Sequence, residues 1–406
     1  MQSCNIPLRV REPMKPIGGS MKQKLGWLAR LMLCGTSLAS GATKIATKKV
    51  IGNLEVVATF PGAMPTGVTV SDDGRIFVNF PKWGDDVEYT VAEVKNGKTQ
   101  PYPDAAINKF GNTDKAEDKL VSVQSVVVDP TGKRLWILDT GSVGFGPVTP
   151  GGAKLIAVDL DTNKVSKKII FPNDVALVTS YLNDVRFDLR RGKEGMAFIT
   201  DSTMGGPNAI IVVDLATGTS WRRLNDHPST KADLSYTPVV EAEFLQIQMP
   251  NKPAAKFTPG ADGIAISPDG KTLYYTPLIS HRLYSVSIDA LVNRDKSASD
   301  VASTVKDLGE RPGASDGLES DAQGRVYLSD YEHNAIHRLN LDGTFEILVH
   351  DPRALWPDTL SLASNGYLYF TANQLNRMGL FHGGKDRRQK PYVLFRVKVD
   401  GTHIHQ

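Results

Sequence analysis

The stretch Asp262-Gly263-Ile264-Ala265-Ile266, followed two residues later by Asp269-Gly270-Lys271-Thr272-Leu273-Tyr274-Tyr275, reads as one β-hairpin. A polar residue opens a short apolar strand, an Asp-Gly turn tolerates positive φ, and a β-rich strand returns. The same pattern recurs at 66–70 with 73–78, 124–128 with 132–137 and 183–187 with 195–199. It recurs again at 316–320 with 323–328 and at 358–362 with 365–370. Spacings between copies run from 42 to 79 residues, the size of a propeller blade with loop insertions. Third strands follow at 155–159, 209–214, 282–288 and 335–340, and a fourth is visible at 344–349.

Six such units predict an all-β, six-bladed propeller with four-stranded antiparallel blades. After the sixth hairpin only one strand-like run remains, at 392–399, while 54–60 stands unclaimed before the first. The economical expectation is that 54–60 completes the last blade and closes the ring, hiding its edges.

Composition agrees. The 36 glycines and 24 prolines suit many turns. Residues 1–41 hold six of the 47 Lys+Arg and one of the 44 Asp+Glu, leaving 41 against 43 in the body. That near-neutral body argues against nucleic acid or an anionic membrane as partner. Both cysteines, Cys4 and Cys34, precede residue 42, so disulfides, thiolate zinc sites and a thiol nucleophile are excluded from the body.

Residues 1–41 read as a leader and 42–406 as the propeller. Lys22 and Lys24 precede a mostly apolar run from Leu25 to Leu38, and Ser37-Leu38-Ala39 is an acceptable cleavage site. The run is too short for an ordinary membrane-spanning helix. The expectation is export to a secreted or periplasmic location, with Met1 or Met21 as the start, no stable membrane insertion of the mature body, and a monomer.

The hairpin register also names a site. The opening residue of each innermost strand faces the mouth of the axial channel: Thr66, Gln124, Asn183, Asp262, Asp316 and Asp358. All six are polar. Such residues also serve as simple turn formers. Crowded carboxylates do not all ionise without cost; one protonates, or a cation moves in. Asn183, Asp262, Asp316 and Asp358 are therefore candidate oxygen ligands for a hard cation, with Ca²⁺ as the candidate cofactor and an ammonium group as the other guest. Phe80-Pro81-Lys82-Trp83 offers Trp83 for stacking beside the mouth. Ser329-Asp330-Tyr331-Glu332-His333 brings Asp330 and His333 to a rim loop as further candidate ligand contacts. His333 and Asp262 are the candidate acid–base residues if the protein is an enzyme. The loop from Gly141 to Gly146 lacks the Lys-Ser/Thr of a phosphate loop and reads as a flexible insertion. Long connections at 226–259 and 376–390 read as surface insertions or recognition loops.

At Pro65-Thr66-Gly67-Val68-Thr69-Val70, Phe80-Pro81-Lys82-Trp83, Leu135-Trp136-Ile137-Leu138-Asp139-Thr140-Gly141, Asn183-Asp184-Val185 and Pro357-Asp358-Thr359-Leu360 the chain resembles the yellow/major royal jelly protein family. The resemblance covers roughly residues 52–400. It implies a secreted six-bladed propeller, linked in some members to pigment chemistry and in others to binding small amines. The family's insect members usually carry cysteines that this body lacks, which fits a microbial relative. Through Asp262-Gly263 and Asp316-Gly317 the chain also resembles, more distantly, the gluconolactonase/senescence-marker-protein group. That resemblance implies one axial divalent cation held by a Glu from the first blade with Asn and Asp from later ones. Thr66 stands where that Glu is expected. Three functions stay open: a small-molecule binder at the funnel, a metal-dependent lactonase or related hydrolase, and a protein-interaction platform.

Overall fold

The computed structural model describes residues 50–406, Asn112 excepted. The expected leader, its cleavage site and both cysteines lie outside the described residues. Among these residues no helix is long and apolar enough to cross a membrane.

Six four-stranded antiparallel sheets form, five of them in sequence order from the axis outward. Their innermost strands are Val68–Val70, Val123–Val128, Leu182–Asp188, Ala261–Ile266, Leu318–Ser320 and Pro357–Leu362. Each innermost strand packs against the next around the whole ring, blade six against blade one included. That closed circuit makes the sheets a propeller rather than a sandwich. Its closure is the one expected from sequence. Leu54–Phe60 supplies the outer strand of blade six, antiparallel to Tyr392–Lys398 from Leu54↔Val397 to Phe60↔Tyr392.

The blades adhere through apolar side chains of facing sheets. Trp136 of blade two stacks on Phe187 of blade three, with ring centroids 5.1 Å apart. Tyr331 and Trp356, fully buried between blades five and six, stack at 4.2 Å. Each such aromatic pair contributes roughly 1 kcal/mol beyond the area it buries.

Strand ends differ from the sequence expectation where local capping wins. The third strand of blade four stops at Ser287, because the Ser287 hydroxyl accepts from Ala290 N and starts the helix Ile288–Val292. The long connection before blade four carries two small hairpins, Val239–Val240 with Glu243–Phe244 and Gln246–Ile247 with Ala255–Lys256. It meets the other long loop on the front face. Arg377 pairs with Glu241 at 2.6 Å, Arg387 with Glu243 at 3.1 Å, and Gln248 N donates to Leu380 O at 2.8 Å. The two insertions thus support each other beside the channel mouth.

Candidate functional site

Four of the innermost strands carry a register shift near their first residues: Val123/Ser125, Leu182/Val185, Ala261/Ile264 and Pro357/Leu360. A bulge takes a residue out of the ladder and re-aims its side chain. The residues released include Gln124, Asn183, Asp262 and Asp358, all lining one cavity at the front mouth. Asp316, just ahead of its strand, joins them there. Glycine follows Asp262 and Asp316 for a steric reason. A Cβ at Gly263 would collide with the Asp316 carbonyl oxygen, and one at Gly317 with that of Asp358. The Asp-Gly pairs let successive blades approach closely enough to cluster their carboxylates.

The cavity holds about 330 Å³. Its walls are largely aromatic and apolar, with Trp83, Phe145, Tyr181 and Phe257, and its floor is acidic, with Asp262, Asp316 and Asp358. Trp83 stacks on Phe145 with centroids 4.7 Å apart. A directional relay then runs across the blades. Trp83 Nε1 donates to the Tyr181 hydroxyl at 2.7 Å, which donates to Gln124 Oε1 at 3.0 Å. Gln124 Nε2 donates to Asn183 Oδ1 at 3.1 Å, and Asn183 Nδ2 to Asp262 Oδ2 at 2.8 Å. The amides are thereby locked in one orientation, and the aromatic wall is tied to the acidic floor.

The floor is charge-frustrated. Burial, then repulsion from Asp316, Asp184 and Asp358, raises the Asp262 carboxyl well above the usual range. Burial also pushes Asp316 up to about 7, against the stabilising bond from Trp356 Nε1 at 2.7 Å. Asp358 is raised by burial and by Asp316, although Asn373 Nδ2 donates to it at 2.6 Å. The two carboxyls act on each other in opposite senses, Asp316 raising Asp262 and Asp262 lowering Asp316, so Asp262 is the member that keeps the proton. Asp184 below them is raised as well, chiefly by burial.

Other sequence candidates fall elsewhere. Thr66 is fully buried, its hydroxyl donating to Gln124 O and accepting from Asn79 Nδ2, and it does not line the cavity. Asp330 and His333 line a separate depression of about 200 Å³ with His337 and His350. Asp330 accepts from Glu332 N and His333 N and contacts both His333 Nδ1 and His337 Nε2. Those imidazole bonds outweigh burial and hold it at about 2. Glu332 anchors the front insertion by accepting from Val239 N and Ala314 N. The loop from Gly141 to Gly146, expected to be flexible, is tied down by Thr149 N to Gly141 O at 2.8 Å and Gly144 N to Lys82 O at 2.9 Å. It delivers Phe145 to the cavity wall.

Asp139, in the Leu135–Gly141 motif, is a structural group. It accepts from Val121, Ser122 and Gly141 amides and pairs with Lys154 Nζ at 2.7 Å, both side chains fully buried. Asp201 repeats the arrangement in blade three with Arg222 at 2.8 Å.

Comparison with known proteins agrees with this architecture. Protein yellow of Drosophila erecta is 27% identical over 242 residues, 55% of this chain and 41% of the relative. Protein yellow of Drosophila guanche is 28% identical over 242 residues, 55% and 39% respectively. The match thus spans about two fifths of the length of these curated relatives. Among solved structures, a luciferin-regenerating enzyme superposes with TM-score 0.51 at 13% identity, covering 88% of this chain and 100% of that one. A calcium-binding regucalcin from Agrobacterium tumefaciens gives 0.50 at 14%, covering 86% and 98%. At such identities these two share the fold alone. The family model described as major royal jelly protein matches residues 121–401, and with the six-bladed ring this shows that the chain belongs to the major royal jelly protein family.

Proposed function

We propose that the protein binds a small protonated aromatic amine in the front cavity. The observation that carries this reading is one pocket with an aromatic wall and a buried acidic floor that holds more carboxylates than it can ionise. An ammonium group on that floor relieves the repulsion, and an aromatic body fills the space between Trp83, Phe145, Tyr181 and Phe257. The volume suits a ligand of one or two rings. Binding draws the floor toward its ionised form and releases protons near neutral pH. We also propose that this occurs outside the cytoplasm, a reading that rests on the sequence pattern of residues 22–39.

A divalent-cation lactonase is the second reading, and the acidic floor itself favours it. Ca²⁺ would polarise a lactone carbonyl and orient water there. The donor set fits it less well. Ca²⁺ takes six to eight oxygens, whereas one oxygen of each floor carboxylate already accepts from Asn183, Trp356 or Asn373. Thr66 offers no carboxylate and is sealed beneath Gln124.

Parallel titrations of the full chain with phenethylamine and with Ca²⁺, followed by intrinsic fluorescence and thermal melting, separate the two. Saturable amine binding lost in Asp262→Asn and Asp316→Asn supports the amine reading. Stoichiometric Ca²⁺ binding without amine binding overturns it in favour of the lactonase, and binding of neither overturns both.

A further inference from the structure

The opposite mouth of the channel is covered by residues 400–406. Ala322 N of blade five donates to Thr402 O at 2.8 Å. Farther along, Gln406 N donates to Pro130 O of blade two at 3.0 Å, and Leu189 N of blade three donates to Gln406 Oε1 at 2.5 Å. His403, Ile404 and Gln406 line a small cavity of about 100 Å³ with Arg186, Glu319 and Leu362. The segment is therefore fastened on both sides of the axis, and its middle, His403-Ile404-His405, passes the hairpin turn of blade one.

Asp72 stands in that turn. Side chains two apart on an extended chain point the same way, which accounts for both imidazoles facing Asp72. His403 Nε2 is 3.2 Å from Asp72 Oδ1, and His405 Nδ1 is 3.9 Å from Asp72 Oδ2. The two rings have centroids 3.7 Å apart, and one ligand atom from each of the three residues lies within 4.8 Å of the others.

We propose that Asp72, His403 and His405 form a binding site for a borderline divalent transition cation, Zn²⁺ in particular, which pins residues 400–406 across the back mouth. Two imidazoles and one carboxylate suit Zn²⁺ and disfavour Ca²⁺ or Mg²⁺. Ligands about 2.0–2.1 Å from a tetrahedral zinc stand roughly 3.4 Å from one another; His403 Nε2 and Asp72 Oδ1 are 3.2 Å apart, close to that edge, and all three ligand atoms lie within 4.8 Å. His405, with its side chain 59% exposed, is free to rotate into place while the anchored backbone stays. Three protein ligands leave a fourth position for water. The cation joins the segment to blade one between its anchors on blades five and two. This site is independent of the amine floor and stands or falls separately from it.

The test uses the untagged full chain, with Zn²⁺ followed by calorimetry, Co²⁺ by visible absorption, and hydrogen exchange of amides 400–406. The expected result is one ion per chain and slower exchange across that segment when Zn²⁺ is present. His403→Ala, His405→Ala and Asp72→Asn, all at or near the surface, should each weaken binding by more than about tenfold, the scale on which even outer-shell partners act. Unchanged Zn²⁺ affinity in the His403→Ala/His405→Ala double variant overturns the site. Zn²⁺ binding by the unaltered chain with no effect on exchange at 400–406 overturns the pin, and that measurement needs no variant to fold.

Discussion

Replacing Asp316 by Asn should reduce the pH dependence of stability. Asn is isosteric, keeps an oxygen for Trp356 Nε1, and carries no charge. In the native protein Asp316 is raised from 3.8 to about 7, mainly because burial penalises its anion. The folded state therefore holds a proton that the unfolded chain releases between these values, so stability falls as pH rises through that window. Below about pH 4 the contribution is fully present; above about pH 7 it is lost. At roughly 1.4 kcal/mol per pH unit the difference amounts to about 4 kcal/mol for a fully buried group. Asp330, held at about 2, titrates below this window, whereas Asp262 and Asp358, also raised by burial, lose stability through it in both proteins, so the Asp316 contribution is read as the difference between the two chains. Urea unfolding at pH 5 and pH 8 measures the effect. The unaltered chain should lose several kcal/mol between the two, and Asp316→Asn should lose less by about 3 kcal/mol, the part of the Asp316 contribution that falls between pH 5 and pH 8. Equal losses in both proteins would refute the claim that the floor is charge-frustrated.

Other consequences are as definite. Lys154→Met strands the fully buried Asp139 without its cation and should cost about 3–5 kcal/mol in urea unfolding. Trp83→Phe keeps a ring against Phe145 but removes the 2.7 Å bond to Tyr181, and should weaken amine binding by about 1 kcal/mol, roughly fivefold, in a fluorescence titration. A chain lacking residues 1–60 exposes the edge of Tyr392–Lys398 and should self-associate more than the full chain on size exclusion.

The fold was legible because each hairpin writes its own register: a polar first residue, alternating apolar residues, and a turn. The surplus strand at 54–60 and the deficit in blade six were visible together for the same reason. The ring residues Gln124, Asn183, Asp262, Asp316 and Asp358 also came from register. Thr66 shares that register yet does not line the cavity, because whether a ring residue meets the cavity depends on hydrogen bonds from blades some 60 residues away, here Gln124 O. Phe145, Tyr181 and Phe257 were missed since they sit in connections with no periodicity. Tyr181, two residues before Asn183 at a bulged strand start, was the best available signal. Asp330 was misplaced on the channel rim for want of one comparison. It ends the second strand of blade five as Asp139 and Asp201 end theirs, and all three are locked by a basic side chain and backbone amides. The His403-Ile404-His405 spacing was readable, but nothing local to it revealed Asp72 more than 300 residues away.

The most direct measurement is calorimetry of phenethylamine binding to the full chain near pH 7 in two buffers of different ionisation enthalpy, with its neutral isostere 2-phenylethanol alongside. If the frustrated floor receives the ammonium group, the apparent enthalpy will differ between buffers by the heat of released protons, and the alcohol will bind far more weakly. Equal enthalpies in both buffers, or an alcohol that binds as well as the amine, would contradict a site built to accept a cation.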